Sequence, residues 1–450
     1  MSETSAEGEL APEDNPVLQG NFAPVHAETT AFELKVTGTL PESLNGTLYR
    51  DGPNPIAPGA GHHWFAGDAM VHAIVLEDGA AVAYRNRWIR TESVERHKGL
   101  RAAPTSPNQP GAQGSGSVNV IEHAGRLLAL PEVGLPWELG ADADTLGQYD
   151  FGGRLSTNMT AHPKIDGRSG ELLFFGYDFG PVHLRYHNAA PTGELTRTIE
   201  IAKPTATMMH DFAVTATRVV FMDFPVMFDL DMALAGRSIP FRWNDAGPAR
   251  LGILPRDATT DETRWFPVEP CYVYHPLNAY DDDERIILDV VRHDRTFVEG
   301  KLANGGSPPT LERWHIDPDN ERLTREVLSD RPQEFPRVDP RVECHPHRFG
   351  YSVEFELGRG PGSLLKHDLR TGETLRHDVG ENGQASEGVF VPQGPGEDEG
   401  YVLSVIYEAS TDTSTLRVIA AQDFAGAPVA TVALPARVPF GFHGNWVPSR

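Results

Sequence analysis

Four histidines in similar local settings are the residues of this 450-residue chain best suited to chemistry. His162, His210 and His275 each lie beside an apolar, strand-like run, and His443 lies in an apolar, glycine-flanked stretch near the C-terminal end. A neutral imidazole is the commonest protein ligand for a divalent transition metal. One histidine among the 18 of the chain would usually be a hydrogen-bonded core residue. The setting that all four share predicts instead that they converge on one metal ion.

Short strands separated by tight turns are the elements that must position these histidines. Residues 71–76, for example, lead through a turn at residues 77–79 and return as residues 81–89. Sustained helical periodicity is scarce, whereas 44 glycines and 37 prolines suit many turns. This all-β pattern has no obvious linker and favours a radial repeat, a β-propeller, over two stacked sandwiches. No clean repeat motif is visible, so the blades must have diverged in sequence.

The spacing of the histidines fits such a ring. A four-stranded blade takes roughly 40–50 residues plus its loops. His162 and His210 are therefore about one blade apart, as are His210 and His275, and His443 follows about three blades after His275. Histidines at the inner strand ends of separate blades would all face the central channel. The four imidazoles are thus expected on one axis.

Composition limits the partners and the location of the protein. The formal net charge of −24 argues against a nucleic-acid partner, which would need a basic face. The start of the chain is acidic and has no apolar stretch, so we expect no signal peptide. A membrane-spanning helix needs about 18 consecutive apolar residues, and no run in the sequence approaches that length. We therefore expect a cytoplasmic protein. Residues 1–15 are predicted to be a disordered acidic tail and residues 16–450 a single domain.

Three glutamates stand where the neighbouring sequence is apolar or turn-like: Glu132, Glu334 and Glu387. Metal-bound histidines usually donate their second N–H to a carboxylate, a carbonyl or water, which fixes the tautomer and the direction of the ring. Three carboxylates would also offset the charge of a divalent ion in a dry channel. The pattern alone leaves open whether the glutamates have this supporting role or lie in turns and surface salt bridges.

Together these segments resemble the carotenoid cleavage oxygenases, a non-haem iron family that also includes stilbene-cleaving dioxygenases and the vertebrate retinoid isomerase. The resemblance runs from about residue 20 to the end of the chain. It is carried by the four histidine segments, the three glutamate segments and three N-terminal motifs, residues 44–55 (LNGTLYRDGPNP), 63–72 (HWFAGDAMVH) and 85–91 (RNRWIRT). So many motifs in order identify the family far better than any single pattern.

The resemblance implies a seven-bladed β-propeller with long loops and helices that form a dome over the iron face. It implies four ligands for Fe(II), the histidines His162, His210, His275 and His443. It also implies three carboxylates that accept hydrogen bonds from ligands, namely Glu132 for His210, Glu334 for His275 and Glu387 for His443. The remaining ligand, His162, has no glutamate partner in this scheme.

By the same resemblance, the reaction adds both atoms of O₂ across one C=C bond of a conjugated chain and yields two carbonyl products. Stilbene-cleaving members carry a lysine directly before the first of the three glutamates. This chain has Pro131 there, which favours an apolar carotenoid or apocarotenoid as substrate. Val118 lies near the open iron position by family analogy, where many oxygenases carry threonine and the retinoid isomerase carries valine.

Three alternatives stay open on these residues. One is cleavage of a stilbenoid or of a lignin-derived phenylpropanoid by the same chemistry. A second is isomerisation of a double bond without gain of oxygen. A third is a non-catalytic propeller that binds a lipophilic molecule, because a fold alone does not fix a function.

Residues 222–234 form an unusually apolar connection, which includes Phe224, Phe228, Leu230 and Leu234. Such a segment either dips into a membrane to extract a lipophilic substrate or packs against the dome. Periodicity does not separate an exposed patch from a buried loop. Peripheral membrane contact through residues 222–234 is therefore one of two interpretations.

Overall fold

Seven β-sheets arranged as a ring form the protein in the computed structural model, which describes residues 11–111, 113–298, 307–356 and 360–449. Each sheet has four to six strands, and one separate two-stranded hairpin lies outside the seven. The predicted all-β, seven-bladed β-propeller is therefore confirmed.

The strands of the described residues are numbered along the chain. They are β1 (Thr30–Phe32), β2 (Val36–Gly38), β3 (Gly46–Pro53), β4 (Ala69–Glu77), β5 (Ala80–Trp88), β6 (Asn119–His123), β7 (Arg126–Leu130), β8 (Trp137–Leu139), β9 (Thr145–Gln148), β10 (Lys164–Ile165), β11 (Leu172–Tyr177), β12 (Leu184–Ala189), β13 (Leu195–Ile201), β14 (Ala213–Val214), β15 (Arg218–Asp223), β16 (Val226–Phe228), β17 (Phe241–Trp243), β18 (Arg250–Pro255), β19 (Arg264–Pro267), β20 (Tyr272–Asp282), β21 (Arg285–His293), β22 (Thr310–Asp317), β23 (Arg322–Ser329), β24 (Gln333–Arg337), β25 (Phe349–Glu356), β26 (Gly360–Asp368), β27 (Glu373–His377), β28 (Gly383–Ala385), β29 (Val389–Pro392), β30 (Gly400–Glu408), β31 (Thr413–Ala420), β32 (Ala430–Ala433) and β33 (Gly444–Pro448). The α-helices of the same residues are α1 (Glu92–Lys98) and α2 (Leu230–Leu234).

Most blades are built from strands that follow one another in the chain. Blades 1, 2, 4 and 5 consist of β6–β9, β10–β13, β20–β23 and β24–β27. Blade 3 combines β14, β15, β18 and β19, because the hairpin β16–β17 is inserted after β15. Neighbouring strands are antiparallel, so short turns suffice to join most of them.

Both ends of the chain close the ring. Blade 7 joins the C-terminal β33 to β3, with Arg50 opposite Gly444, and continues through β4, β5 and β1. Blade 6 consists of β28–β32 and takes the N-terminal β2 as its outermost strand. Two separate strand pairings thus hold the first segment of the chain to the last. Loss of either pairing would leave an open sheet edge.

The sequence pattern of a strand depends on its place in the blade. β11 (LLFFGY) is buried at all 6 positions, because neighbouring blades cover both of its faces. β13 (LTRTIEI), at the outer edge of the same blade, has a mixed pattern in which accessible residues separate the buried ones. Inner strands therefore appear as continuous apolar runs, and outer strands come closer to the two-residue period of a half-exposed strand.

Long connections cover one end of the ring, as the resemblance implies. The ring of Phe65, from the connection between β3 and β4, lies 6.2 Å from that of Phe297, which follows β21. The ring of Phe241 in β17 lies 6.1 Å from that of Phe297. These aromatic contacts hold the connections together as a dome. Among the described residues, the helices are all too short or too polar to cross a lipid bilayer.

The predicted boundary of the folded domain is placed too late. Residues 1–10 of the predicted acidic tail lie outside the described residues. Residues 11–15 contain a 3₁₀ turn, Pro12–Asp14, and Asn15 is buried, with its amide donating to the carbonyl of His62. The folded part of the chain therefore begins before residue 16.

The apolar segment 222–234 has a buried first half and an exposed second half, so each half fits a different one of its two interpretations. Phe224 and Val226 are buried in the core. Leu230 and Leu234, on α2, are 62% and 78% exposed. The first half of the segment thus packs inside the fold, whereas α2 presents two leucines to solvent.

Replacing Gly176 by alanine should destabilise the fold close to His162. A Cβ at Gly176 in β11 would overlap the backbone carbonyl of Asn158, in the segment that leads to His162. Overpacking of this kind costs about 1–3 kcal/mol, so the midpoint of urea unfolding should fall for Gly176→Ala. The control is Gly59→Ala, whose Cβ would meet nothing within 4 Å. Equal midpoints for both variants would contradict the close approach of these two backbones.

Candidate metal centre

All four predicted histidines lie at the axis of the ring. Three of the histidines come just before the strand of their blade that lies nearest the axis: His162 precedes β10 of blade 2, His210 precedes β14 of blade 3, and His443 precedes β33 of blade 7. His275 lies within β20, the corresponding strand of blade 4. The imidazole centroids are 4.4–5.1 Å apart in the five pairs that make ring contact. The structure therefore brings the four rings into one cluster, in which His162, His275 and His443 are buried.

The Nε2 atoms of the rings approach one another. Nε2 of His275 lies 3.3 Å from Nε2 of His210 and 3.2 Å from Nε2 of His443. Ring nitrogens of His162, His275 and His443 all lie within 4.8 Å of one another. Two nitrogens bound at right angles to one metal, each at about 2.1 Å, are about 3 Å apart. The spacing of the nitrogens therefore suits a shared metal ion.

Each of the three glutamates is hydrogen-bonded to one of the histidines. The Nδ1 to Oε2 distances are 2.9 Å for His210 and Glu132, 2.6 Å for His275 and Glu334, and 3.0 Å for His443 and Glu387. The glutamates come from blades 1, 5 and 6, whereas the histidines come from blades 2, 3, 4 and 7. Every blade thus contributes one side chain to the cluster.

Further side chains hold two of the glutamates in place. The hydroxyl of Tyr177 donates to Oε1 of Glu132 at 2.9 Å. Nε2 of His293 lies 2.7 Å from Oε1 of Glu334. Both carboxylates are therefore held through both of their oxygens, which directs one oxygen at the histidine of the cluster.

Glu387 is held by a backbone N–H and by cations. The N–H of Gly444 donates to its Oε1 at 2.6 Å, and Nη1 of Arg337 lies 3.5 Å from its Oε2. Burial would raise the pKa of Glu387, but Arg337 and His443 outweigh burial and lower that pKa to about 2. Glu387 is thus ionised and can only accept a hydrogen bond from His443.

Glu334 is ionised for a similar reason. Burial would raise the pKa of its carboxyl, but His275 and His293 outweigh burial and hold that pKa well below its ordinary value. An ionised carboxylate is an acceptor only, so Nδ1 of His275 carries the proton. In the neutral imidazole, Nε2 is then an unprotonated lone pair.

The protonation of the other histidines bears on metal binding as well. Burial lowers the pKa of His443 to about 3. Burial, followed by the charge of His210, lowers the pKa of His162 well below its ordinary value. The pKa of His210 is raised, because Glu132 outweighs the opposing effect of burial. A metal ion bound to His210 would take the place of that proton.

The residues present fit a divalent transition metal. Unprotonated nitrogen lone pairs that face one another repel unless a cation lies between them. Nε2 of His162 is buried and has no hydrogen-bond partner among the described residues. Such an atom is costly to bury without a partner. Imidazole nitrogens are suitable ligands for iron, zinc, copper or nickel.

His162 differs from the other three histidines, because no glutamate accepts from it in the described part of the chain. Its Nδ1 lies 3.7 Å from Oδ2 of Asp211, which is too far for a direct hydrogen bond. Val118, predicted to lie near the open metal position, is buried, and its carbonyl accepts a hydrogen bond from the N–H of His443 at 3.0 Å. Val118 thus adjoins the segment that carries one histidine of the cluster.

Two different environments adjoin the cluster. A cavity of about 250 Å³ lies along the strands nearest the axis. The polar residues of its lining include Lys164, Asp211, Arg337, Glu343 and Asn445. This space is called the axial cavity. A polar lining and this volume suit ordered water.

A group of half-buried aromatic rings adjoins the cluster outside the axial cavity. The ring of Tyr274 lies 5.7 Å from that of His210, 6.1 Å from that of Phe65 and 6.3 Å from that of Phe297. The ring of Phe241 continues the series at 6.1 Å from that of Phe297. The rings thus form an apolar surface, called the aromatic surface, that leads from the histidines into the dome.

Several supporting residues were missed by the sequence analysis. Nη1 of Arg50 lies 3.9 Å from Oε1 of Glu387. Arg50, Asp211 and Arg337 lie within the segments already singled out, and the available signal is a charge in an otherwise apolar, strand-like run. Tyr177 and His293 gave no such signal, because they end the strands β11 and β21 and contact residues of neighbouring blades.

Tyr177→Phe should destabilise the protein, because it removes the hydroxyl that donates to Glu132. Because the side chain of Glu132 is 23% exposed, water can partly replace the lost donor, and we expect a loss of about 0.5–1.5 kcal/mol. The matched control is Tyr186→Phe, since the buried hydroxyl of Tyr186 has no hydrogen-bond partner among the described residues. Urea unfolding followed by tryptophan fluorescence measures both variants. A larger loss for Tyr186→Phe than for Tyr177→Phe would contradict the assignment of the donor.

Comparisons with known proteins identify the family. The family model described as RPE65, retinal pigment epithelial membrane protein, matches residues 22–448. A carotenoid cleavage oxygenase from Mycobacterium tuberculosis is 39% identical, and the similarity covers 98% of this chain and 99% of that protein.

Solved structures agree with the sequence comparison. A lignostilbene dioxygenase from Pseudomonas brassicacearum is similar with a TM-score of 0.88 at 28% identity, over 97% of this chain and 99% of that one. The cobalt-substituted apocarotenoid oxygenase from Synechocystis is similar with a TM-score of 0.85 at 28% identity, over 95% of this chain and 97% of that one. The chain therefore belongs to the RPE65 and carotenoid cleavage oxygenase family and is an oxygenase.

Proposed function

We propose that the protein is an Fe(II)-dependent dioxygenase that cleaves one C=C bond of a carotenoid or apocarotenoid into two carbonyl products. The observation that carries the proposal is the cluster of four imidazoles, three of them directed by carboxylates at a common centre. The similarity to a carotenoid cleavage oxygenase and to an apocarotenoid oxygenase supports the substrate class.

The histidines would hold the iron, and the glutamates would hold the histidines. Bound iron would supply the activation of O₂, for which protein side chains have no chemistry of their own. Each Nδ1–H that is donated to a carboxylate keeps its imidazole in one tautomer and one orientation. The three carboxylates also place negative charge around a site whose ligands are all neutral.

The aromatic surface would position the substrate. Tyr274 lies beside His210, and Phe65 and Phe297 lie beside Tyr274, so the three rings offer flat apolar faces to a conjugated chain that reaches the cluster. Aromatic rings bury a large apolar area without requiring polar contacts from the substrate. The same rings exclude water from the reacting bond, which limits side reactions.

A second candidate substrate is a stilbenoid or phenylpropanoid. The similarity to a lignostilbene dioxygenase favours it. Pro131, which directly precedes Glu132, argues against it, because proline offers neither a cation nor a side-chain donor to a phenol oxygen. We therefore prefer the carotenoid class.

A substrate panel under isotopically labelled O₂ tests the proposal. Iron-loaded protein receives carotenoids, apocarotenals and resveratrol-like stilbenes in parallel, and mass spectrometry identifies the products. We expect labelled carbonyl fragments from a carotenoid or apocarotenoid. Aldehydes from stilbenes alone would establish the second class instead. A product of unchanged mass would indicate an isomerase, and binding without O₂ uptake would indicate a non-catalytic module.

His275→Ala should abolish both metal binding and turnover, because Nε2 of His275 lies within 3.3 Å of two other histidine nitrogens. The wild type should hold about one iron per chain, since the four imidazoles form a single centre. The control is His367→Gln, because His367 is also buried but contacts Ser352 and Thr374 outside the cluster. Elemental analysis measures the metal. Full turnover by metal-free wild type would refute the dependence on iron.

We also propose that α2 contacts a membrane from which the substrate is taken up. Exposed Leu230 and Leu234 follow the hairpin strand that carries Phe228. The ring of Phe228 lies 6.0 Å from that of Phe241, which belongs to the aromatic surface. Because the chain has a net charge of −24, such a contact would be apolar rather than electrostatic.

Replacing both leucines of α2 by serine should weaken binding to vesicles of zwitterionic lipid. A buried leucine contributes about 1.5–3 kcal/mol, so we expect at least a tenfold loss in co-sedimentation for Leu230→Ser with Leu234→Ser. The control is Leu146→Ser, which changes a leucine that is 55% exposed on β9 of blade 1. Equal binding of both variants and the wild type would rule out contact through α2.

A further inference from the structure

An ion pair beside His162 has no role in the function described so far. Nζ of Lys164 lies 2.8 Å and 3.0 Å from the two carboxylate oxygens of Asp211. The side chain of Asp211 is 2% exposed and that of Lys164 is 14% exposed. The mutual attraction of two buried charges seldom exceeds the cost of removing them from water. A pair in this position therefore calls for a reason other than stability.

Among the described residues, His162 has no carboxylate within hydrogen-bonding distance, unlike the other three histidines. Oδ2 of Asp211 lies 3.7 Å from its Nδ1, beyond direct hydrogen-bonding distance but suitable for one bridging water. Both residues line the axial cavity of about 250 Å³. A water takes about 30 Å³, so the cavity has room for it.

Other contacts hold the carboxylate of Asp211 and the backbone of His162. The backbone N–H of Phe212 donates to Oδ1 of Asp211 at 2.7 Å, in addition to the contacts from Lys164. The backbone N–H of His162 donates to Oγ1 of Thr160 at 3.1 Å. The carboxylate of Asp211 and the backbone of His162 are thus each held by their own contacts, and both side chains line the axial cavity.

We infer that Asp211, anchored by Lys164, orients His162 through one water and completes the set of carboxylates around the metal. The inference rests on the proposed function, because it requires that His162 binds the metal through Nε2. Asp211 acts through His162 and is therefore a positioning residue. Since Lys164 neutralises Asp211, the fourth imidazole is oriented without a fourth net negative charge.

Binding of Co²⁺ to metal-free protein tests this role without turnover. The visible absorption of Co²⁺ reports both the affinity and the ligand geometry. Loss of a carboxylate behind a metal-bound histidine typically lowers affinity about 10–100-fold. We expect at least a tenfold loss and an altered spectrum for Asp211→Asn. The control is Asp223→Asn, which disrupts the buried pair of Asp223 and Lys203 outside the axial cavity and should keep wild-type affinity.

The double variant Lys164→Met with Asp211→Asn separates orientation from the burial of charge. We expect it to remain at least tenfold weaker than the wild type, with little change in the Tm of the metal-free protein. Recovery of wild-type affinity would overturn the inference, because the pair would then matter only as two charges. Unchanged affinity of Asp211→Asn would overturn it as well. Failure of the wild type to bind Co²⁺ would instead remove the proposed metal centre, and the inference with it.

Discussion

Repulsion between nitrogen lone pairs in a buried site is the constraint on which the rest of the structure depends. The Nε2 atoms of His275 and His443 are only 3.2 Å apart. Buried carboxylates keep the proton on Nδ1, so these rings cannot relieve the repulsion by changing tautomer. The fold must therefore hold the rings in place by itself, and every element that carries a ring has to be rigid.

The propeller meets this requirement by drawing on all seven blades. Each blade contributes one histidine or one glutamate, so no pair of blades can shift without moving part of the cluster. His443 directly precedes β33, the strand that closes blade 7 against β3. The strand pairing that closes the ring therefore also places His443 in the cluster. The pairing of β2 with β32 secures that closure at a second place.

The parts of this arrangement that could be predicted are those with local signals. Histidines beside apolar strands, spaced by whole blades, indicate a cluster on the axis of a ring. His443 of blade 7 does follow three blades after His275 of blade 4. The donor from Tyr177 to Glu132 could not be predicted, because it crosses from blade 2 to blade 1 and local sequence does not encode which strands become neighbours. The start of the folded chain was misjudged because acidic composition hid the buried contact of Asn15.

The number of blades also explains why His162 has no glutamate partner in the part of the chain that the structure describes. Four histidines and three glutamates, one from each blade, leave no blade free to supply a fourth carboxylate from a position of its own. A partner for His162 has to come from a blade that already contributes, and Asp211, the residue after His210 in blade 3, is such a partner. Its Oδ2 lies 3.7 Å from Nδ1 of His162, and the axial cavity that both residues line has room for the proposed bridging water. A ring of seven blades around four imidazoles thus makes one imidazole different from the others, and an aspartate from a blade that already contributes lies 3.7 Å from it.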